Sequence, residues 1–491
     1  MGMVRRHTVL GTIYTYVGIG IGMLNLMALM PKFMSAEQMG LIELTNKLAL
    51  LISLIGALGL PQALIRFMPK MPGQELRLFQ YTLWISCIAV AIVTLAYLLS
   101  WPWLSRLYSD APLFLEYYYY LPLFLGSLLM FLFLEGFLVA NIDTLWPLFM
   151  REIALRAFTF GCIILYALGI IDYKSFYILY AAGHLLVLTI LWVRAQQYIS
   201  RLSKNLKVRL TPEDKRAIWT FALFTLTSSA SIYLVFILDS LMISAILGLG
   251  VVASYAIYYN MSIAVSVPSR ALQRPANAVS AQAWAKHDTP TLNAIYTKTS
   301  LIGLWVSGLI FVCILLAEPW VKGLYIHLGK PAFAQDFPLF ELLGLTAVIN
   351  AAFGNNHYIL HSSPKYRWDL YMNIFLLAIG FLGNLWFISL WGAWGAALAS
   401  LLAMLLINLL KSGLLWHFFR LQPFSWRQGA VLALLAVAWL VASHVPQMNL
   451  WVWIPVRCLV AALIVVVPTL YWRLVPSLNA FAGVVQQRLR R

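Results

Sequence analysis

Thr8-Val-Leu-Gly-Thr-Ile-Tyr-Thr-Tyr-Val-Gly-Ile-Gly-Ile-Gly-Met-Leu-Asn-Leu-Met-Ala-Leu-Met30 contains no Asp, Glu, Lys, Arg or His, and it follows the short basic segment Met1 to His7. A helix needs about 20 apolar residues to cross the hydrocarbon core of a bilayer. The stretch meets that length and exceeds the roughly 7–15 residues of a signal-peptide core. With no cleavage site evident, it reads as a first permanent membrane span.

Composition extends this reading to the whole chain. Of 491 residues, 62% are hydrophobic and 10% charged, against about 45–50% and about 25% in soluble domains. A soluble protein of this size could not cover so much apolar surface. Applying the 20-residue rule along the chain predicts fourteen spans, near 8–31, 40–64, 78–100, 113–139, 146–170, 175–196, 217–246, 250–268, 295–317, 338–360, 368–389, 393–416, 428–446 and 450–472.

Charge placement tests that count, because cytoplasmic loops carry an excess of Lys and Arg. With the N-terminus inside, 27 basic residues fall on inner segments and helix ends and 5 on outer ones. Lys47 and Arg457 lie within spans. One miscounted span would invert every later assignment, yet the asymmetry persists to the C-terminus. The expected topology therefore has both ends cytoplasmic. The net charge of +17, which in a soluble protein would suggest nucleic acid, is explained by topology, and no nucleic-acid partner is expected. Aromatic residues are expected in interfacial belts: Trp101, Trp103, the run Tyr117 to Tyr120, Trp391, Trp394, Trp451 and Trp453.

The stretch 194–216 is basic and hydrophilic. It divides the first twelve spans into an expected N-lobe (1–200) and C-lobe (217–420) joined by a linker (201–216), with spans thirteen and fourteen and a basic tail in 421–491. Internal repeats of this kind are common in secondary transporters. The expected fold is an all-α polytopic membrane protein, with two pseudo-symmetric six-helix lobes around a central cavity and two C-terminal helices.

Several chemistries lack their motifs. There is no G-x-x-x-x-G-K-[ST] phosphate loop and no paired zinc-ligand spacing. The four cysteines, Cys87, Cys162, Cys313 and Cys458, sit singly in apolar runs as small hydrophobes. Gly18, Gly20 and Gly22 lie inside a span, where small residues permit close helix packing, and the run Gly392 to Ser400 suits the same purpose. The largest outer loop, Glu318 to Asp336, holds no catalytic cluster, so no enzymatic activity is expected.

Ionisable residues at membrane depth cost roughly 2.5–3.5 kcal/mol each and usually face a cavity or one another. Glu43 and Lys47 share a helix face, either as a satisfied pair or as a cavity-lining gate. Arg66, Arg151, Arg156, Arg270 and Arg274 sit at the inner ends of spans. Singly they read as topological anchors. Together they place guanidinium groups, suited to bidentate phosphate binding, where an anionic headgroup would enter. Glu135, Asp239, Glu341 and His357 are candidate carriers of a coupling ion, although helix-to-helix hydrogen bonding explains such residues equally well.

The sequence resembles the oligosaccharide flippases of lipopolysaccharide and capsule synthesis, within the multidrug/oligosaccharidyl-lipid/polysaccharide exporter superfamily. The resemblance rests on Tyr14 to Gly18, Pro31 to Leu41, Gly56 to Pro61, Ile65 to Pro69 and Trp391 to Ala399. It implies an undecaprenyl-pyrophosphate-linked glycan, such as an O-antigen or capsule repeat unit, as cargo. Translocation across a bacterial inner membrane would proceed by alternating access, with the basic residues and Lys47 holding the pyrophosphate. It implies no cofactor beyond a coupling proton or sodium ion, and membrane lipids and a polysaccharide polymerase as further partners. A cation-coupled multidrug exporter of the same superfamily, or a membrane glycan polymerase or ligase, are the alternatives.

Overall fold

The structure, a computed structural model, describes residues 2–202, 210–446 and 449–476, in which every regular element is helical. Residues 203–209 of the expected linker and the basic tail from 477 onward lie outside the described residues, as do the side chains of Ser228, Ser229 and Arg274.

Fourteen of the helical segments among the described residues correspond to the expected spans, with the short helices Trp101–Leu107, Glu318–His327 and Pro331–Gln335 between them. α1 comprises Gly2–Leu24, a π-turn at Asn25–Leu29 and Met30–Phe33. α2 comprises Ala36–Gly56 and Leu60–Phe67; α3 is Glu75–Leu99 and α4 is Pro112–Ala140. α5 runs Leu145–Phe149, a π-turn at Met150–Ala154, and Leu155–Ala167; α6 is Tyr173–Ile199, α7 Pro212–Ile246, α8 Leu249–Ala285 and α9 Thr289–Leu316. α10 joins Pro338–Ala352 to Asn356–His361. The helical stretch Arg367–Phe419 is broken at Trp391 and Gly392, which makes α11 (367–390) and α12 (393–419). α13 is Trp426–Ser443 and α14 Leu450–Tyr471. Ten stretches among the described residues are long and apolar enough to cross a membrane. Arg367–Phe419 is one of them and, at about 1.5 Å per residue, covers two crossings. α5, α7 and α10, interrupted or polar in part, complete the fourteen expected from the sequence.

Local chemistry sets the boundaries. Ser35 starts α2 with a capping box, its Oγ accepting from Gln38 N at 3.1 Å while Gln38 Oε1 accepts from Ser35 N at 2.9 Å. Two of the four orphan amides of a helix start are satisfied this way. Thr211 and Asp214 repeat the device at α7, and the Thr211 hydroxyl and amide hold the Asp214 carboxyl below its ordinary range. Between α11 and α12, Gly392 adopts φ 59°, ψ −140°, a region open to glycine and strained for other residues. Three residues on, a Cβ at Gly395 would overlap the Phe387 carbonyl oxygen. The small-residue run therefore closes the α11–α12 hairpin, as its composition predicts.

Two expectations need correction. The eighth span does not end near Pro268: α8 continues to Ala285 with Pro268 and Pro275 inside it, so Arg270 and Arg274 lie within a helix and do not close it. A proline removes one helical hydrogen bond, which neighbouring groups at a helix-rich site can compensate. The aromatic run is also only partly interfacial. Tyr119 is exposed, but Tyr117 and Tyr118 are buried. Tyr118 stacks on Tyr97 with ring centroids 4.3 Å apart, and Tyr117 meets Tyr177 edge-on at 4.9 Å. Trp103, Trp391, Trp394 and Trp451 are exposed as a belt requires, whereas Trp453 is buried.

The chain forms two compact units, Met1–Ala253 and Ser254–Arg491. In the first, α4 is the central helix: α2, α3 and α6 pack on it, around Phe79, Phe133 and Phe137. In the second, α9 packs against α10, α13 and α14, and α10 packs against α12 and α11.

Candidate functional site

Four charged groups of the first unit alternate in sign. Arg151 Nη1 contacts both carboxylate oxygens of Glu135, at 3.0 and 3.2 Å. Its Nε lies 3.4 Å from Glu152, whose other oxygen holds Arg156 at 2.9 Å. Glu135 comes from α4, Arg151 and Glu152 from the π-turn of α5, and Arg156 from the helix just beyond. A π-turn inserts one residue per turn and re-aims the side chains around it. α1 fits closely here. A Cβ at Gly18 would overlap the Glu152 carbonyl oxygen, and Asn25 Nδ2 in the facing π-turn donates to the Arg156 carbonyl at 3.0 Å. Gly18 thus has the packing role its sequence suggests, and Gly22 lies against the Arg156 side chain.

Arg151 and Arg156 are therefore not bare cations: each is matched by a glutamate. A guanidinium offers five donors, so an incoming phosphate would share these arginines with Glu135 and Glu152. Arg66 differs. At the end of the second segment of α2 it is exposed, its guanidinium 4.2 Å from the Phe221 ring centroid and 5.7 Å from that of Phe67, with no carboxylate in ion-pair range among the described residues. The aromatic faces attract the cation without neutralising its charge. Lys47 pairs with Glu43 at 3.3 Å, one α2 turn away, as the spacing predicts. Nearby Thr45 and Asn46 bond Tyr177 and Tyr180 at 2.9 and 2.7 Å.

An unanticipated pair, Arg194 and Asp143, meets at 2.8 Å. It lines a cavity of about 420 Å³ with Leu10, Tyr14, Trp146 and Phe149.

In the second unit, His357 joins a buried network absent from the sequence reading. Asp369 at the start of α11 contacts His357 Nδ1 at 2.8 Å, His361 Nδ1 at 3.3 Å and Lys411 Nζ at 2.9 Å. Nothing in the sequence marked these as a group. His357, Asp369 and Lys411 come from three helices, and Lys411 read as one more basic helix end. Arg270 is exposed in α8 and Glu341 exposed in the first turn of α10, neither with an ion-pair partner among the described residues. Asp239 is buried in α7. No group of three or more His, Cys, Asp or Glu suited to a metal occurs among the described residues.

Comparison with known proteins agrees with this architecture. No curated protein sequence matches the chain. Among solved structures, the lipid II flippase MurJ in an inward closed conformation superposes with a TM-score of 0.76 at 13% identity, covering 95% of this chain and 99% of that one. An inward-facing multidrug resistance MATE transporter of the MOP superfamily gives 0.61 at 17% identity, covering 84% and 94%. The outward-facing form gives 0.54 at 16% identity, covering 84% and 94%. The chain thus shares its all-helical fold with these membrane proteins. Residues 5–268 match the polysaccharide biosynthesis protein family, more than half of the chain, and the chain belongs to that family.

Proposed function

We propose that this protein is a flippase that moves a lipid-linked oligosaccharide from the cytoplasmic to the outer face of a bacterial inner membrane by alternating access between an N-lobe (1–200) and a C-lobe (217–420). The observation that carries the reading is Arg66. An exposed guanidinium lying over Phe221 and unmatched by a carboxylate among the described residues suits a pyrophosphate and repels a cationic drug. Arg270, exposed on the same predicted side of the membrane, adds a second such group. Arg151 and Arg156, each already sharing a glutamate, serve better as a lattice that a phosphate rearranges. An undecaprenyl pyrophosphate carrying an O-antigen or capsule repeat unit is the cargo that fits the family and the charge.

The test is deletion of the gene followed by analysis of lipid-linked glycans on the two membrane faces. Complete repeat units should accumulate on the cytoplasmic face and clear on complementation with the wild type. Arg66→Ala should restore clearance at least tenfold more slowly, the cost of roughly 1.5–3 kcal/mol for one charged hydrogen-bonding group. Unchanged glycans together with new sensitivity to cationic drugs would instead identify a multidrug exporter.

A further inference from the structure

The Asp369 network holds more titratable groups than a structural ion pair needs. Asp369 and Lys411, 2.9 Å apart, already neutralise one another, and buried pairs of that kind are complete when their remaining lone pairs and protons are met. Here two imidazoles are added to the same carboxylate, His357 on Oδ1 at 2.8 Å and His361 on Oδ2 at 3.3 Å. Lys411 Nζ also lies 3.1 Å from His357 Nδ1 and 2.9 Å from Asn373 Oδ1.

That places one nitrogen between opposites. His357 Nδ1 faces a carboxylate, which only accepts, and an ammonium, which only donates. Carrying a hydrogen it bonds Asp369; without one it accepts from Lys411. It cannot do both, so the cluster has two hydrogen-bond arrangements that differ by the position of one proton. Imidazole is the side chain whose ordinary pKa, about 6.5, lies in the physiological range.

Access runs through the imidazoles: the His361 side chain is 53% exposed and that of His357 31%, against 3% for Asp369. His361 lies just before Lys365 and Arg367, on the basic side of the expected topology. Inward from His357, Asn356 Oδ1 takes the His357 amide at 2.6 Å, Asn356 Nδ2 donates to Asn408 at 2.7 Å, and Asn408 reaches Asn350 at 3.3 Å. Both histidines ride on Asn356–His361, separated from the rest of α10 by a break in which Gly354 has φ +60°. The carboxylate on α11 and the lysine on α12 thus tie down a short helix that its own backbone leaves jointed. Other titratable groups near the cluster are the phenol of Tyr358, whose ring centroid is 5.1 Å from that of His357, and Tyr296 of α9, bonded to Ser412 at 2.8 Å. Neither ordinarily ionises between pH 5 and 8.

The geometry points to a proton-binding site at Asp369, His357 and His361, with Lys411 as the fixed counter-charge, that couples transport to a proton gradient. An imidazolium strengthens the tie of Asn356–His361 to α11, and loss of the proton through His361 to the basic side loosens it. The inference rests on the transport reading for its purpose but not for its chemistry. Proton uptake is therefore measured first, without cargo, on the purified full-length protein in nanodiscs between pH 8 and 5.5. The wild type should take up about one more proton than the His357→Gln/His361→Gln variant. In proteoliposomes supplied with a lipid-linked oligosaccharide, an imposed pH gradient should speed translocation by the wild type severalfold and leave the variant at its gradient-free rate.

Equal uptake by the two proteins, or equal acceleration, overturns the site. Should the histidine variant fail to fold, Asp369→Asn/Lys411→Gln decides, because it removes both charges together and should likewise lose the gradient response. If wild type and variants all fail to translocate while differing in uptake, the transport reading fails and the proton site stands.

Discussion

Arg457 is 7% exposed and lies within α14, where a charge needs a reason. Its Nε donates to the Ala442 carbonyl and its Nη1 to the Leu316 carbonyl, each at 3.0 Å, and its guanidinium lies 4.6 Å from the Trp453 ring centroid. Leu316 ends α9, and Ala442 lies in the last turn of α13. Carbonyls of a last turn have no intrahelical donor and form the negative end of the helix dipole. One side chain therefore serves two helix ends and fixes α14 to both. Arg457→Met should cost about 1–3 kcal/mol where the Leu316 carbonyl loses its donor, and less at Ala442, whose carbonyl also takes the Val445 amide at 3.4 Å; the loss is read as a lowered midpoint of thermal unfolding in detergent. Arg457→Lys, with a point charge in place of a planar fork, should fall between. A midpoint unchanged in Arg457→Met would mean that apolar packing alone docks the helix. The sequence marks Arg457 as a charge in a span but cannot mark its partners, since backbone carbonyls carry no sequence signal. The Asp369 cluster escapes for a related reason: Lys411 is already explained as a topological anchor, and only the fold brings it to a carboxylate 42 positions earlier. Glu43 and Lys47 are legible because both partners lie one helical turn apart.

Helix breaks follow the same division. Gly59, in the sequence Gly56 to Pro61, has φ +70°, and a Cβ there would overlap the Ala222 carbonyl oxygen of α7. The break between Gly56 and Leu60 is thus readable from a glycine followed by a proline at the second helix's start. The contact that makes it necessary is not readable. Gly59→Ala should destabilise the first unit by roughly 1–3 kcal/mol from backbone strain alone, with a further loss as α7 is pushed off α2. Arg66, seven residues on, would shift with it, so translocation should fall along with thermal stability. Gly20→Ala is the matched control, because a Cβ there meets nothing within 4 Å. If both variants behave as wild type, α2 and α7 are not locked at this point. The π-turns of α1 and α5 leave no such signature. Their residues, Asn25–Leu29 and Met150–Ala154, have no special backbone demands, and the widened turns arise where α1 and α5 pack together.

At the scale of the whole molecule, sidedness decides whether the proposed chemistry can work. The reading needs Arg66 and the His361 end of the proton site on the cytoplasmic side, where the cargo is made. Lys and Arg partition 27 to 5 across the fourteen helices. Because each helix reverses the chain, that asymmetry is kept to the C-terminus only if an even number of helices cross. The four native cysteines lie within helices, in apolar surroundings that exclude a charged reagent. A membrane-impermeant maleimide should therefore leave the wild type unlabelled in intact spheroplasts, so single introduced cysteines report topology directly. Ser109→Cys, exposed between α3 and α4, should label in spheroplasts. Lys286→Cys, exposed between α8 and α9, should label only after the membrane is opened. The two positions have five helices between them, α4 to α8, and an odd number of crossings must put them on opposite faces. Labelling of both in intact spheroplasts would remove a crossing between them. Labelling of Lys286→Cys alone would invert the molecule, putting Arg66 and the exposed imidazole on the face where the oligosaccharide is delivered and leaving neither able to act as proposed.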